Sequence, residues 1–170
     1  KILSIIWFAG MLVFLIGFII NTLKLKRNLC TAVYFEKNIW ESDMITSPFV
    51  FGFFKPRIYI PFNLTQIEFN NVVAHESSHI KHGDHLWKLL AYLLLILNWY
   101  NPLIWLAYKK FIDDMELACD ERVIKKMNIS ARKNYAEILL NCTVNQTLTL
   151  GEQLYFGREN IKDRITSIVK

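Results

Sequence analysis

An uncharged apolar segment covers residues 2–23 of this sequence. A helix of this length is long enough to cross the hydrocarbon core of a bilayer, which takes about 20 residues. Several basic residues follow the segment directly, whereas a single lysine precedes it, and this asymmetry favours a cytoplasmic C-terminal end. We therefore expect residues 1–27 to form a transmembrane helix with a basic cytoplasmic flank, and residues 28–170 to form a cytoplasmic domain. A helix buried in a protein core is the alternative.

The composition agrees with a membrane-anchored protein that contains one domain. The chain has 170 residues, of which 53% are hydrophobic, and its mean hydropathy of +0.23 is high for a soluble protein. The net charge is +5, but lysine and arginine are not gathered on one element, and several flank apolar segments. We therefore predict contact with a lipid bilayer and no direct nucleic-acid binding. The three cysteines form no CxxC pair, which favours a reducing compartment.

Local patterns predict a mainly α fold with a small β-hairpin, which is an α+β class. Two aromatic and β-branched runs flank Lys55-Pro56 and predict the hairpin. Thr65 and Glu68 form a capping-box pattern that starts a helix. Residues 28–45 show no clear pattern. Further helices are expected over about 111–127, from Ser130 onward, and near 159–169.

The sequence His75-Glu76-Ser77-Ser78-His79 is an HExxH motif on the predicted helix. Because His75 and His79 are one helical turn apart, both imidazoles project from one face and can share a Zn²⁺ ion. Glu76 lies beside them, where it can act as general base towards water activated by the metal. Two surface histidines on a helix are the alternative interpretation. The motif predicts a zinc-dependent hydrolase.

A catalytic zinc site takes three protein ligands and keeps one open position. An acidic helix downstream offers the third ligand, and a glutamate on a separate helix is one standard solution. Cys119 is its chemical rival, and a solvated helix face is another interpretation of the cluster. Asp84 is well placed to accept a hydrogen bond from the free N–H of a ligating imidazole. The candidates for the third ligand are Asp113, Asp114, Glu116, Cys119, Asp120 and Glu121.

Three sequence patterns together resemble the BlaR/MecR-type antirepressor metallopeptidases, which are bacterial membrane proteins that respond to β-lactam antibiotics. The patterns are HESSHIKHGDH from His75, then Asn101-Pro102-Leu103, then ELACDE from Glu116, and the similarity continues to Phe156-Gly157 and Arg164-Ile165. The resemblance implies a membrane-anchored, gluzincin-like HExxH fold with zinc as its cofactor. It implies zinc ligands at His75, His79 and Glu116, a general base at Glu76, and supporting carboxylates at Asp84 and Asp120.

The resemblance also implies a function. The chain would be a membrane-bound zinc endopeptidase of a signal-transduction system for antibiotic resistance, and it would cleave itself, a DNA-binding repressor, or both. The full-length protein would cross the cell membrane several times, with the catalytic site on the cytoplasmic side, and could form a homodimer. Two alternatives stay open: a membrane signalling scaffold with a structural or inactive zinc site, and a membrane zinc protease of the quality-control type.

The implied ligand set constrains the second apolar stretch, residues 86–108. The two histidines precede this stretch and Glu116 follows it, so a single crossing would separate the ligands by about 30 Å of hydrocarbon. Zinc–ligand bonds of about 2 Å exclude such a separation. We therefore expect an apolar helical hairpin that turns near residues 98–102, has arms too short to span, and dips into the membrane or packs on partner helices.

The predicted β-hairpin at residues 49–60 has a functional interpretation as well. Metalloproteases commonly bind an extended substrate by adding it to a sheet edge beside the metal. A simple structural ribbon is the equally good alternative.

Overall fold

The computed structural model describes residues 1–125, 127–144 and 161–169 of the chain. Helices dominate and one small sheet accompanies them, which confirms the expected α+β class. The helices are α1 (Ile2–Asn28), α2 (Gln66–His82), α3 (Asp84–Leu97), α4 (Pro102–Ile124), α5 (Ile129–Val144) and α6 (Ile161–Val169). The strands are β1 (Val33–Glu36), β2 (Ile39–Ser42), β3 (Phe49–Phe51) and β4 (Arg57–Pro61). Phe156-Gly157 and the first two residues of the helix predicted near 159–169 lie outside the described residues.

Helix α1 exposes most of its apolar side chains. Within the described ranges it is, together with the short 3-10 turn after it, the one helix long and apolar enough to cross a membrane. Ile2 and Leu3 expose 76% and 82% of their surface, and Leu25 at the other end is its one buried residue. Lys26 and Arg27 occupy its last turn. So large an exposed apolar surface is suited to an apolar environment.

The sheet has the strand order β1-β2-β4-β3. Strands β3 and β4 pair antiparallel and form the hairpin that the sequence predicts around Lys55-Pro56. Gly52 begins its turn at φ 117°, and a Cβ there would lie 2.6 Å from the carbonyl oxygen of Lys55, so the turn needs glycine. Strands β1 and β2 come from the segment that showed no pattern, and β2 runs parallel to β4. The sheet is therefore twice as wide as expected.

Helix α2 carries the HExxH motif and begins at the predicted capping box. The Glu68 backbone N–H donates to the Thr65 hydroxyl over 3.3 Å, and the Thr65 backbone N–H donates to the Glu68 carboxylate over 2.8 Å. Gly83 ends α2 in a left-handed conformation with φ 70°, and α3 starts at the next residue. The motif therefore lies in the last two turns of α2, directly before a sharp change of direction.

Helices α3 and α4 are joined by a turn at residues 98–101. The separate helix expected to begin near residue 111 is a wrong prediction, because α4 is continuous from Pro102 to Ile124. Pro102 is its first residue, where a missing N–H costs nothing, and the Asn101 side chain accepts a hydrogen bond from the Leu103 N–H. One helix, α4, thus contains both the second arm of the apolar hairpin and the acidic cluster.

Three apolar clusters hold these elements around the motif. The sheet packs on α2 and α5, α5 packs on α6 and the end of α4, and α3 packs on the middle of α1. Because α2 and α4 lie side by side, with α5 and α6 beside them, side chains from four helices converge on the HExxH motif. The cluster residues, in the same order, are Ile39, Ile58, Ile60, Val72 and Ile138; Ile124, Tyr135, Ala136 and Ile168; and Tyr92, Leu95 and Ile96.

Candidate metal centre

The two histidines of the motif face each other on the buried side of α2. His75 and His79 expose 8% and 5% of their surface, and their Nε2 atoms are 3.1 Å apart. The α-helical pitch brings residues four apart onto one face, which is the reason for this approach. Two imidazole nitrogens so close together in a buried site suit a shared metal ion.

Helix α4 adds a carboxylate to the pair. Glu116 Oε2 lies 3.4 Å from the Nε2 atoms of both His75 and His79, and Glu116 is 3% exposed. Ligands at zinc bond lengths of about 2.0–2.2 Å around a tetrahedral centre lie roughly 3.3–3.5 Å apart. The two distances from Glu116 fall in this range and the distance between the histidines, 3.1 Å, is slightly shorter, so the three donor atoms are spaced to hold a metal ion.

Cys119 is the other donor near the histidines. One ligand atom from each of His75, His79 and Cys119 can be chosen so that all three lie within 4.8 Å of one another. However, the Cys119 sulfur lies 3.6 Å from Nδ1 of His75, the nitrogen on the opposite side of the ring from Glu116. Burial raises the pKa of this thiol, but the hydrogen bonds and charges of the two histidines outweigh burial and lower the pKa to about 6. We favour Glu116 as the third donor because it faces both Nε2 atoms.

Asp84 orients His79. Nδ1 of His79 lies 2.7 Å from Oδ2 of Asp84, which also accepts a hydrogen bond of 3.2 Å from Arg122. Burial raises the pKa of Asp84, but the hydrogen bond with His79 and the charges around it lower the pKa overall. An ionised Asp84 accepts a hydrogen bond from the Nδ1–H of His79, which leaves the Nε2 lone pair of His79 directed at the metal position.

His75 is oriented through Tyr135, a residue of α5. The Tyr135 hydroxyl lies 2.7 Å from Nδ1 of His75 and donates to Oδ1 of Asp120 over 2.7 Å. Asp120 itself is 3.3 Å from the same Nδ1. Asp120, for which the family resemblance implied a supporting role, is thus linked to the imidazole through the tyrosine hydroxyl. The chain Asp120–Tyr135–His75 leaves the Nε2 lone pair of His75 facing Glu116.

Two cations complete the surroundings, and sequence reasoning gave a site role to neither. Arg164 on α6 donates to Asp120 over 2.6 Å and 2.9 Å and lies 3.5 Å from Oε2 of Glu116. Lys88 on α3 donates to Oε1 of Glu116 over 2.8 Å. Burial raises the pKa of Asp120, but the hydrogen bonds and charges of Arg164 and His75 together outweigh burial and lower the pKa to about 2. Arg164 lies in the part of the sequence that carried the family resemblance, which was the one signal available for it.

The remaining acidic candidates point elsewhere. Asp114 and Glu121 lie on α4, outside the group of donor atoms. Asp113 is partly buried on the same helix and likewise takes no part in the donor set. The spacing of α4 explains this result, since residues 116 and 120 share the face that packs against α2, and residues 114 and 121 do not.

Glu76 lines a cavity that starts at the donor atoms. This cavity of about 380 Å³ is bounded mostly by apolar side chains and reaches strand β3 on one side and α1 on the other. Glu76 is 9% exposed and lines this cavity together with His75 and His79. Addition of a substrate to the sheet edge at β3 stays a prediction.

Comparison with known proteins extends these observations. The family model for the BlaR1 peptidase M56 matches residues 1–168. The regulatory protein BlaR1 of Bacillus licheniformis is 28% identical over 191 aligned residues, which cover 96% of this chain and 32% of that protein. The methicillin resistance mecR1 protein of Staphylococcus aureus is 29% identical over 137 residues, which cover 75% of this chain and 23% of that protein. The chain thus spans about a third or less of the length of these relatives.

The match takes in the N-terminal apolar helix, the HExxH helix and the acidic helix together. It confirms the resemblance to BlaR/MecR-type proteins, a group of membrane-associated, signal-transducing metallopeptidases. A metallopeptidase family implies a metal, and the donor atoms of α2 and α4 are spaced to hold one. From its first helix to nearly its last residue, the chain belongs to the BlaR1 peptidase M56 family.

Proposed function

We propose that this chain is the catalytic part of a membrane-bound zinc endopeptidase that cleaves a protein substrate on the cytoplasmic side of the cell membrane. The main support for this proposal is the triangle formed by His75 Nε2, His79 Nε2 and Glu116 Oε2, with sides of 3.1, 3.4 and 3.4 Å. Two nitrogen donors, one carboxylate and an open fourth position form the donor set of a hydrolytic zinc site.

The residues divide the chemistry between them. His75, His79 and Glu116 would hold the zinc ion, which when bound supplies Lewis acidity that activates water and polarises the scissile carbonyl. Glu76 takes the proton from the attacking water and passes it to the leaving amine. Asp84 and the Asp120–Tyr135 pair keep the imidazoles in the tautomer and orientation that metal binding requires.

The substrate side of the proposal rests on the cavity and on the relatives. The cavity accepts an unfolded segment rather than a folded protein, since it lies between strand β3, α1 and the motif. The relatives are named for regulation and for methicillin resistance. We infer that the substrate is a flexible segment of a signalling protein, either this protein itself or a DNA-binding repressor.

Metal content and cleavage, measured together on the full-length protein in membranes, test the proposal. Glu76→Gln should retain zinc but lose self-cleavage and cleavage of the repressor, because the ligands remain and the base is gone. Glu116→Ala should lose both zinc and cleavage. Glu121→Gln is the matched control, because it changes an exposed carboxylate on α4 and should alter neither.

Two outcomes would overturn parts of the assignment. Cleavage by Glu76→Gln at the wild-type rate would remove Glu76 as general base. Wild-type zinc affinity in Glu116→Ala would remove Glu116 as ligand and would favour Cys119 in its place. A third outcome, zinc bound to the wild-type protein without any cleavage, would favour the scaffold with an inactive site.

A further inference from the structure

The turn between α3 and α4 is docked against α1 by reciprocal indole hydrogen bonds. Trp7 of α1 donates from its indole N–H to the carbonyl oxygen of Leu97 over 3.0 Å, and Trp99 donates to the carbonyl oxygen of Trp7 over 3.2 Å. The Trp99 ring lies so close to Gly10 that a Cβ there would fall 2.2 Å from it. This close, specific contact fixes the depth of the turn relative to α1.

That depth is far from the basic end of α1. Trp7 precedes Lys24 by 17 residues, which corresponds to about 25 Å along a helix axis at 1.5 Å per residue. The hydrocarbon core of a bilayer is about 30 Å thick. If α1 spans the membrane with Lys24 at the cytoplasmic face, the turn at residues 98–101 lies inside the hydrocarbon core.

The surface of the hairpin matches such a position. Residues 89–108, between Lys88 and Lys109, carry no charged side chain. Packing on α1 covers one side of the hairpin, through Tyr92, Leu95 and Ile96, and leaves the other sides exposed. The large hydrophobic side chains exposed there are Leu90, Leu93, Leu94, Leu97, Tyr100, Leu103, Trp105 and Leu106.

Several side chains in and beside the turn form hydrogen bonds with backbone groups. Within the hydrocarbon core, non-helical backbone is tolerated only when its polar groups find partners in the protein. The Asn98 side chain donates to the carbonyl oxygen of Leu94 over 3.0 Å, and the Asn101 side chain accepts from the Leu103 N–H over 3.0 Å. Trp105 donates to the carbonyl oxygen of Trp99 over 2.8 Å. Each indole and each asparagine side chain of the turn thus partners a backbone group.

We propose that the α3–α4 hairpin is a re-entrant membrane element whose exposed apolar faces contact lipid acyl chains. This inference rests on the proposed membrane span of α1. It adds α3 and the first part of α4 to α1 as membrane-embedded helices. The hairpin enters and leaves on the same side, so the donor residues before α3 and late in α4 stay together near the membrane surface. The cavity, which α1 lines with Phe18 and Thr22, then lies within about 10 Å of the cytoplasmic membrane face.

Spin labels on single cysteines in the full-length protein, reconstituted in lipid bilayers, distinguish the possible surroundings. Collision with molecular oxygen reports on lipid, collision with a water-soluble nickel chelate reports on water, and low accessibility to both reports on protein packing. Leu94→Cys and Leu103→Cys test the hairpin, Val13→Cys tests α1, and Phe54→Cys is an exposed control on the β3–β4 turn. Cys30 and Cys142 are replaced by serine, and Cys119 is retained because it is fully buried.

We expect labels at 94, 103 and 13 to collide with oxygen several-fold more than the label at 54, and with nickel several-fold less. Nickel accessibility at 94 and 103 with lipid exposure at 13 would overturn the re-entrant hairpin while leaving the span of α1 intact. Low accessibility to both reagents at 94 and 103 would also overturn it, in favour of partner helices. Nickel accessibility at 13 would overturn the proposed membrane span itself.

Discussion

Lys88 and Glu116 form an ion pair across the base of the α3–α4 hairpin, with 2.8 Å between Nζ and Oε1. The lysine engages one carboxylate oxygen and leaves the other, Oε2, facing both imidazoles. Burial raises the pKa of Glu116, but Lys88 and the two histidines outweigh this effect and hold the pKa well below its usual range. The carboxylate is therefore ionised, and it presents one oxygen to the two imidazoles.

Replacing Lys88 should change the coordination number of the metal. In Lys88→Met both oxygens of Glu116 become available, so the carboxylate can bind the metal through both and raise the coordination number from four to five. Visible absorption of the Co²⁺-substituted protein should fall, since five-coordinate Co²⁺ absorbs more weakly than four-coordinate Co²⁺, and cleavage should fall about 10- to 100-fold. Lys88→Arg should retain most of the wild-type spectrum. An unchanged spectrum in Lys88→Met would contradict this role.

Removing the Tyr135 hydroxyl should weaken metal binding without unfolding the protein. In Tyr135→Phe the ring still fills its place in the α5–α6 cluster, but Nδ1 of His75 loses its nearest partner. We expect the zinc affinity to fall about 10-fold, measured by competition with a chromogenic chelator. Tyr34→Phe removes an exposed hydroxyl from β1 and serves as control. Equal affinities in the two variants would show that Asp120 alone orients His75.

Loss of Arg164 should affect stability more than any other single change near the site. Its side chain is 3% exposed and pairs with Asp120, which is fully buried. Arg164→Met leaves a buried carboxylate without its cation, which costs about 3–5 kcal/mol. The midpoint of thermal unfolding in detergent should fall clearly in Arg164→Met. The double variant Arg164→Met/Asp120→Asn should lose less stability than Arg164→Met alone, because its buried carboxylate is gone as well. Additive losses would mean that the two side chains are not coupled.

Metal binding should weaken as the pH falls, starting above the ordinary titration range of histidine. Burial lowers the pKa of both histidines, but their polar contacts outweigh burial. In the metal-free protein the contacts with Tyr135 and Asp120 raise the pKa of His75 well above 6.5. The contacts with Glu116 and Asp84 raise the pKa of His79 in the same way. A ligating imidazole must be neutral, so protons compete with the metal below these raised values. With two protons displaced, the apparent zinc affinity should fall up to about 100-fold per pH unit. Chelator competition across the range from pH 8 to pH 6 measures this slope, and a flat profile would contradict it.

The parts of the fold that local sequence governs could be predicted. A capping box, an i to i+4 histidine pair and a proline-flanked hairpin each depend on residues a few positions apart, so Thr65, His79 and Lys55-Pro56 identified their elements. Pro102 was harder, because a proline both ends one helix and starts another. Its neighbour Asn101 favours the start.

Contacts between distant segments could not be predicted in the same way. Strand β2 pairs in parallel with β4 across an intervening loop and strand, and no local pattern encodes such a pairing. Tyr135 and Arg164 reach Asp120 from 15 and 44 residues away in sequence, through the packing of α5 and α6 on α4. Their roles depend on that packing, whereas the histidine pair depends only on helical pitch.

The continuity of α4 has a mechanical consequence. Its 23 residues form a stiff rod of about 33 Å. Trp105 near one end lies 5.6 Å from Phe14 of α1, ring centre to ring centre, and Glu116 lies three turns further along. The histidines belong to a different helix, α2. A tilt of α1 that moves the near end of α4 would also move Glu116 relative to the imidazoles, so the size of the donor triangle would change with the orientation of α1.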